Sequence, residues 1–215
     1  MDELKNTGNI FNKYAGEYES RYMDLSLYAE ALDKFLALIK TEDAGVLDIG
    51  CGPGNITKYL LNSRPGLKIT GIDIAGEMIQ RARTNNPQAS FELLDGRRID
   101  ELKNKFDAVV AGFFLPYLSK KEAEGFIGKC AGSLRSEGII YLSFMEDDYN
   151  NSGYLSSSRN EKEKLFTYYH EAGYIEKFLV EAGFGILNSK EIENQNNKPG
   201  IKDRVIICQS ILVKD

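Results

Sequence analysis

The sequence predicts an α/β fold: a three-layer α/β/α sandwich around a mostly parallel sheet of about seven strands, with an antiparallel strand near the C-terminus. Short β-rich apolar runs alternate with stretches of helical period along most of the chain. These runs are apolar at successive positions, so helices cover both faces of the sheet. The last two runs are joined by a turn with no helix between them. Such a pair is antiparallel, because parallel neighbours need a long crossover.

The elements follow in order. Phe11, Tyr14, Tyr18 and Tyr22 fall at three- and four-residue spacing, and Leu25 to Ile39 is an amphipathic helix with Tyr28, Leu32, Phe35 and Ile39 on one face. Val46 to Ile49 is the first strand, and Asn55 to Leu61 a helix with Ile56, Tyr59 and Leu60 in register. Lys68 to Asp73 is a strand, Gly76 to Arg83 a helix, Ser90 to Asp95 a third strand and Phe106 to Phe113 a fourth. Ser119 and Glu122 form a capping box opening a helix whose apolar positions are Ala123, Phe126, Ile127, Cys130 and Leu134. Gly125, Gly128 and Gly132 inside that helix each cost about 1 kcal/mol relative to Ala. Gly138 to Phe144 is the fifth strand, and Glu171 to Ala182 a helix ended by Gly183 as its C-terminal cap. Phe184 to Ile192 and Arg204 to Val213 are the final strands, joined by the turn-like Asn194 to Gly200.

At 215 residues the chain is expected to be a single domain, with residues 1–40 a helical cap and 145–169 a polar insertion near the ligand-binding edge. The net charge of −5 argues against a nucleic-acid partner. No apolar run reaches the ~20 residues of a membrane helix. The N-terminus has no basic start followed by an apolar stretch, so the expected location is cytoplasmic. Cys51, Cys130 and Cys208 are odd in number and widely spaced, and there is one histidine, so neither a disulfide framework nor a metal site is expected.

The chemistry concentrates at Asp48-Ile49-Gly50-Cys51-Gly52-Pro53-Gly54-Asn55, between a strand and a helix. Glycines there allow a tight turn and let a ligand lie against bare backbone, while the following helix offers unpaired N–H groups to an anionic group. The Gly-x-Gly-x-Gly spacing differs from the Gly-x-Gly-x-x-Gly of dinucleotide folds. Asp73 ends the next strand, where a carboxylate can accept two hydroxyl hydrogen bonds at once.

With these motifs the chain resembles the class I S-adenosylmethionine-dependent methyltransferases, a Rossmann-like family, from roughly Phe11 to the C-terminus. The resemblance implies that Asp48, Gly50, Cys51 and Gly52 belong to the turn that holds the methionine part of the cofactor. It makes Asp73 the ribose ligand, Ile74 and Met78 the apolar neighbours of the adenine, and Asp95 and Gly96 the adenine-edge pair. Ala111 to Phe113 ends the fourth strand beside the sulfonium. Asp48 either orients the glycine loop or meets the cofactor ammonium. Phe11, Ala15, Tyr18 and Glu19 are similar to the opening of small-molecule methyltransferases of the ubiquinone and menaquinone biosynthesis type. Tyr117 stands where many of that group have histidine, and Ala75 where serine is common.

The implied function is methyl transfer from S-adenosylmethionine to a small organic acceptor, with S-adenosylhomocysteine as product and donor–acceptor alignment as the main catalytic device. The alternatives are a non-catalytic S-adenosylmethionine-binding partner or sensor, and a methyltransferase acting on RNA or protein. Tyr14, Tyr18, Phe113, Tyr117 and Met145 are candidates for the acceptor site or a lid; the N-terminal aromatic stripe equally suits simple packing. His170, where the insertion meets the next helix, is a candidate general base. Acceptor choice is expected to reside in Met145 to Tyr169 together with Phe113, Tyr117 and His170.

Overall fold

A computed structural model describes residues 3–157, 160–194 and 200–211. The chain begins with helix α1 (Glu3–Tyr22), bent at Tyr14, and α2 (Ala29–Leu38). Strands β1 (Gly45–Ile49), β2 (Lys68–Asp73), β3 (Ser90–Leu93) and β4 (Phe106–Gly112) follow, with α3 (Asn55–Ser63) and α4 (Gly76–Asn85) in the first two connections. Then come α5 (Lys120–Ser133), β5 (Leu134–Glu146), a hairpin of β6 (Gly153–Ser157) and β7 (Asn160–Thr167), α6 (Ala172–Glu181), β8 (Phe184–Glu193) and β9 (Lys202–Ser210).

The main sheet has seven strands in the order β3-β2-β1-β4-β5-β9-β8. All pairings from β3 to β5 are parallel, and β9 runs antiparallel to both β5 and β8. Alternation along each strand divides the core. Leu47, Val109, Ile140 and Leu142 face Phe126, Ile127, Ile175 and Leu179 of α5 and α6. Val46, Ala108, Val110, Ile139 and Tyr141 face Leu32, Phe35 and Leu60 of α2 and α3. The chain leaves β1 toward β2 and β3, then returns to place β4 on β1's other side. That reversal opens a crevice at the carboxyl ends of β1 and β4, where open α/β sheets bind ligands.

Several predicted boundaries shift. Helix α5 ends at Ser133, and Leu134 is extended, so this apolar position enters the core from β5. Strand β3 stops at Leu93; Asp95 instead caps a 3-10 turn, Gly96–Glu101, its Oδ1 accepting from Arg97 N at 2.9 Å. Leu25 to Ile39 is broken, because Asp24 Oδ1 accepts from Ser26 N and opens the 3-10 turn Ser26–Tyr28 before α2. The polar insertion is a β-hairpin, a pairing its Ser/Asn/Gly composition does not announce. Tyr154 and Phe166 face one another across it at 5.0 Å, and it meets α1 where Asn6 Nδ2 donates to Lys164 O at 3.3 Å. Part of the final strand predicted as Arg204 to Val213 lies outside the described residues, as does most of the Asn194 to Gly200 turn. Among the described residues no helix is long and apolar enough to cross a membrane.

Gly125 and Gly128 of α5 are exposed, and a Cβ at either would meet nothing within 4 Å. Gly125→Ala and Gly128→Ala should therefore each stabilise the fold by about 0.5–1 kcal/mol. Together they should raise Tm by roughly 2–8 °C in a thermal melt.

Candidate functional site

Three glycines build the turn after β1, with φ of 65° at Gly50, 53° at Gly52 and 80° at Gly54, a region side chains avoid. Cys51 N donates to Ile72 O at 3.0 Å, and Gly52 N donates to Asp73 Oδ2 at 3.0 Å. The other Asp73 oxygen accepts from Ala75 N at 2.8 Å. The loop is thus tied to the end of β2, and Asp73 is oriented before any ligand arrives. Burial pushes the Asp73 carboxyl up, although these N–H bonds pull the other way.

Around this turn lies a cavity of about 580 Å³, lined by Gly50, Gly52, Asp73, Ile74, Met78, Asp95, Gly96, Phe113 and Tyr117, with Thr7, Phe11, Tyr18, Gly112 and Phe114. A Cβ on Gly52 would come within 3.6 Å of the Tyr18 ring, so bare backbone keeps this wall open. Asp95 is gripped by Arg97, whose Nε and Nη2 donate to its Oδ2 at 3.0 and 2.9 Å; Arg97 Nη1 continues to Glu122 of α5 at 2.9 Å. A second cavity, about 540 Å³, adjoins the first across Tyr18, Gly50, Gly52, Gly112 and Phe113. Asp48, Cys51, Tyr22, Tyr28, Asn55, Tyr141 and Ser143 are among its walls. Phe113 stands between the two with φ of 54°, its N–H donating to Ser143 O at 3.0 Å. A non-glycine residue held in that conformation is strained, and here the strain lies on the partition.

Ten of the predicted residues meet at the first cavity: Tyr18, Gly50, Gly52, Asp73, Ile74, Met78, Asp95, Gly96, Phe113 and Tyr117. Asp48 and Cys51 line only the second. Ala111, expected beside the ligand, instead faces the α5–α6 core, and its neighbour Gly112 reaches the cavity. Tyr14 and Met145 line neither cavity; Tyr14 sits at the bend in α1, and Met145 is paired in β5 with Asp203.

His170 also departs from expectation. It is fully buried, its Nε2–H donating to Leu115 O at 2.9 Å while Nδ1 accepts from Tyr174 Oη at 2.7 Å. A carbonyl can only accept, which sets this tautomer, and burial lowers the imidazole pKa. Both nitrogens are committed, so the ring pins the Leu115–Tyr117 turn to α6 and lies outside both cavities. No described residue of 145–169 lines either cavity.

Sequence alone did not place Thr7, Phe114, Tyr141 or Ser143 at the site. Tyr141 and Ser143 share one face of β5 by simple alternation, a signal that was available. Thr7 carried none, because only the folding-back of α1 brings it to the site. Among the described residues no three His, Cys, Asp or Glu side chains group as a metal site would require.

Comparison with known proteins agrees with this geometry. Residues 46–138 match the family model described as methyltransferase domain. The malonyl-[acyl-carrier protein] O-methyltransferase of Acetivibrio thermocellus is 33% identical over 135 residues, covering 62% of this chain and 47% of that protein. The trans-aconitate 2-methyltransferase of Variovorax paradoxus is 50% identical over 54 residues, 25% of this chain and 21% of that protein. The chain thus spans less than half the length of these curated relatives. Among solved structures, magnesium protoporphyrin IX methyltransferase from Synechocystis with bound SAM superposes with a TM-score of 0.71 at 20% identity, covering 98% of both chains. The Burkholderia thailandensis 1,6-didemethyltoxoflavin-N1-methyltransferase, solved with that compound and S-adenosylhomocysteine, gives 0.72 at 18% identity over 96% of this chain and 88% of the other. The chain is thus similar to S-adenosylmethionine-dependent methyltransferases: residues 46–138 match the methyltransferase-domain model, and the seven-stranded, Rossmann-like fold is the one these solved structures share. Within that class the similarity is to methyltransferases named for small molecules.

Asp48 provides a test of the site's electrostatics. Burial raises its carboxyl to about 6 from an ordinary 3.8, against a 2.6 Å hydrogen bond donated by Thr57 Oγ1. Between those values the folded state holds a proton the unfolded chain has lost, so this group's contribution to stability falls as pH rises from about 4 to 6. The full difference is on the order of 3 kcal/mol. Asp48→Asn should remove that slope: the wild-type-minus-variant difference in urea unfolding free energy should decline between pH 4 and 6 and stay level from 7 to 8. A level difference throughout would mean Asp48 ionises normally.

Proposed function

We propose that the chain transfers a methyl group from S-adenosylmethionine to a small organic acceptor. The observation carrying this reading is the conjunction of a bare glycine turn and a pre-oriented buried carboxylate, Asp73, on one cavity at the sheet's reversal point. Asp73 would accept both ribose hydroxyls, Ile74 and Met78 would flank the adenine, and Asp95 with Gly96 would meet its edge. The turn Gly50–Gly52 would hold the methionine portion. When bound, the donor supplies an already activated methyl group on a sulfonium.

The chain's own contribution is alignment and the exclusion of water. Aromatic side chains of α1 close one side: Phe11 packs edge-on against Tyr18 at 5.7 Å and against Tyr117 at 5.3 Å. Burial raises the phenols of Tyr18 and Tyr117, so both stay protonated and present neutral walls. Alignment of this kind contributes up to ~7–11 kcal/mol in well-oriented reactions. A general base is then dispensable, which agrees with the sequestered position of His170. The three free, buried thiols suit a reducing compartment and support a cytoplasmic location.

Asp73→Asn is the discriminating variant, because it keeps the side chain's shape and one oxygen for the backbone. Loss of one charge-assisted hydroxyl bond should weaken S-adenosylmethionine binding at least tenfold by isothermal titration calorimetry. Unchanged affinity in the variant, or binding of NAD by the wild type in preference to S-adenosylmethionine, would overturn the reading.

A further inference from the structure

Helix α1 carries two faces with different tasks. Thr7, Phe11 and Tyr18 line the first cavity. Gly8, Asn12, Ala15 and Glu19, spaced by three and four residues, sit instead on α4 and on the turn that enters it. A Cβ on Gly8 would stand 3.5 Å from the Ile74 side chain, Ala15 packs with Ala75 and Met78, and Glu19 accepts from Arg81 and Asn85. In the middle of this seam Asn12 Oδ1 accepts from Glu77 N at 2.9 Å. Only an oxygen can accept from an N–H, so the bond also sets the orientation of the Asn12 amide.

That N–H belongs to the first turn of α4, where a helix has backbone donors with no partner of its own. The residue at the head of α4 is Ala75, extended at φ −97° and ψ 115°. This is the backbone geometry of an N-cap without the side-chain oxygen that would complete one. Helix α4 thus draws its cap from a residue 65 positions earlier in the chain. The capped turn carries Ile74 and Met78, both on the wall of the first cavity, and it begins at Asp73, whose Oδ1 holds Ala75 N at 2.8 Å. Asp73 fixes the near end of the turn and Asn12 the far end.

We infer that Asn12 is a positioning residue for the methyl donor: from α1 it supplies the cap that α4 lacks, and so holds Ile74 and Met78 in place for the adenine. This rests on the methyltransferase reading above. Asn12 itself lines neither cavity, so it acts through α4 and not by touching the donor. Without its oxygen the first turn of α4 frays, and only the fraction of chains in which that turn is set stays competent to bind. The same bond couples two walls of the site. Seating α1 on α4 and shaping the adenine side of the cavity become one event, because the seam and the cavity face belong to one helix.

The test is a double-mutant cycle with Ala75→Ser, which places a hydroxyl where α4's own cap belongs. Affinity for S-adenosylhomocysteine is read by isothermal titration calorimetry, and exchange of backbone amides by NMR, on the full chain. Asn12→Ala should weaken binding about fivefold, the equivalent of an average N-cap, and speed exchange at Glu77 while the amides of β1 and β4 keep their wild-type rates. Asn12→Asp keeps an accepting oxygen and sets a negative charge at the positive end of α4, so its affinity should stay within about twofold of wild type. Ala75→Ser alone should shift binding by less than about twofold, yet in the Asn12→Ala chain it should recover about twofold or more of the lost affinity. Unchanged affinity in Asn12→Ala, an equal loss in Asn12→Asp, no recovery with Ala75→Ser, or faster exchange throughout the sheet would overturn the role of Asn12 and leave the methyltransferase reading standing. A wild-type chain that binds neither S-adenosylmethionine nor S-adenosylhomocysteine would remove both.

Discussion

The turn after β1 has to be made of backbone alone, and the rest of the site depends on that constraint. Its three left-handed glycines bring the chain close enough to β2 for Cys51 N to reach Ile72 O and for Gly52 N to reach Asp73. A side chain at Gly50 would press on Phe114 at 3.0 Å, and one at Gly52 would enter the cavity toward Tyr18. The same few atoms therefore form the loop, orient the carboxylate and keep the crevice open.

Helix α1 is fastened to that turn as well as to the sheet. Glu19 accepts from Arg81 Nη1 and from Asn85 Nδ2, each at 2.5 Å, and Asn85 Nδ2 also donates to Pro53 O at 2.9 Å. These bonds hold Glu19's carboxyl below its ordinary range. The aromatic wall of the first cavity and the glycine floor thus share one polar clamp, with Ala15, Ala75 and Met78 packed beneath it. The insertion strengthens the same region from outside: β7 contacts α1, and Tyr168 N donates to Pro116 O at 2.8 Å. His170 completes the support by holding the Leu115–Tyr117 turn from behind.

Chemistry in such a site is a matter of where polar protons point. Asp73 accepts a backbone N–H on each oxygen and still lines the first cavity. Tyr28 spends its proton on Asp203 and keeps its lone pairs. Phe113 divides the two spaces from a strained conformation that its hydrogen bond to Ser143 O helps to retain. Each group is fixed by packing or by a second hydrogen bond, which limits reorganisation when a ligand enters.

Family resemblance singles out Asp73, Ile74, Met78 and Gly96, and all four line the first cavity. By itself the sequence determined the strand and helix order of the main sheet, its parallel core, the antiparallel pair at the end and the glycine turn. These follow from local period and spacing, since a glycine turn between an apolar strand and a helix means much the same wherever the chain ends up. Only the tertiary structure decided the rest. Ala111 and Gly112 are adjacent, and which of them faces the cavity is a question of strand register. His170 has the residue type of a base, but its partners Leu115 and Tyr174 come from separate segments, and their carbonyl and hydroxyl make it a strut. The hairpin in the insertion depends on cross-strand pairing that polar composition hides. The Tyr28–Asp203 bond joins residues 175 positions apart, and no local pattern carries a contact at that separation.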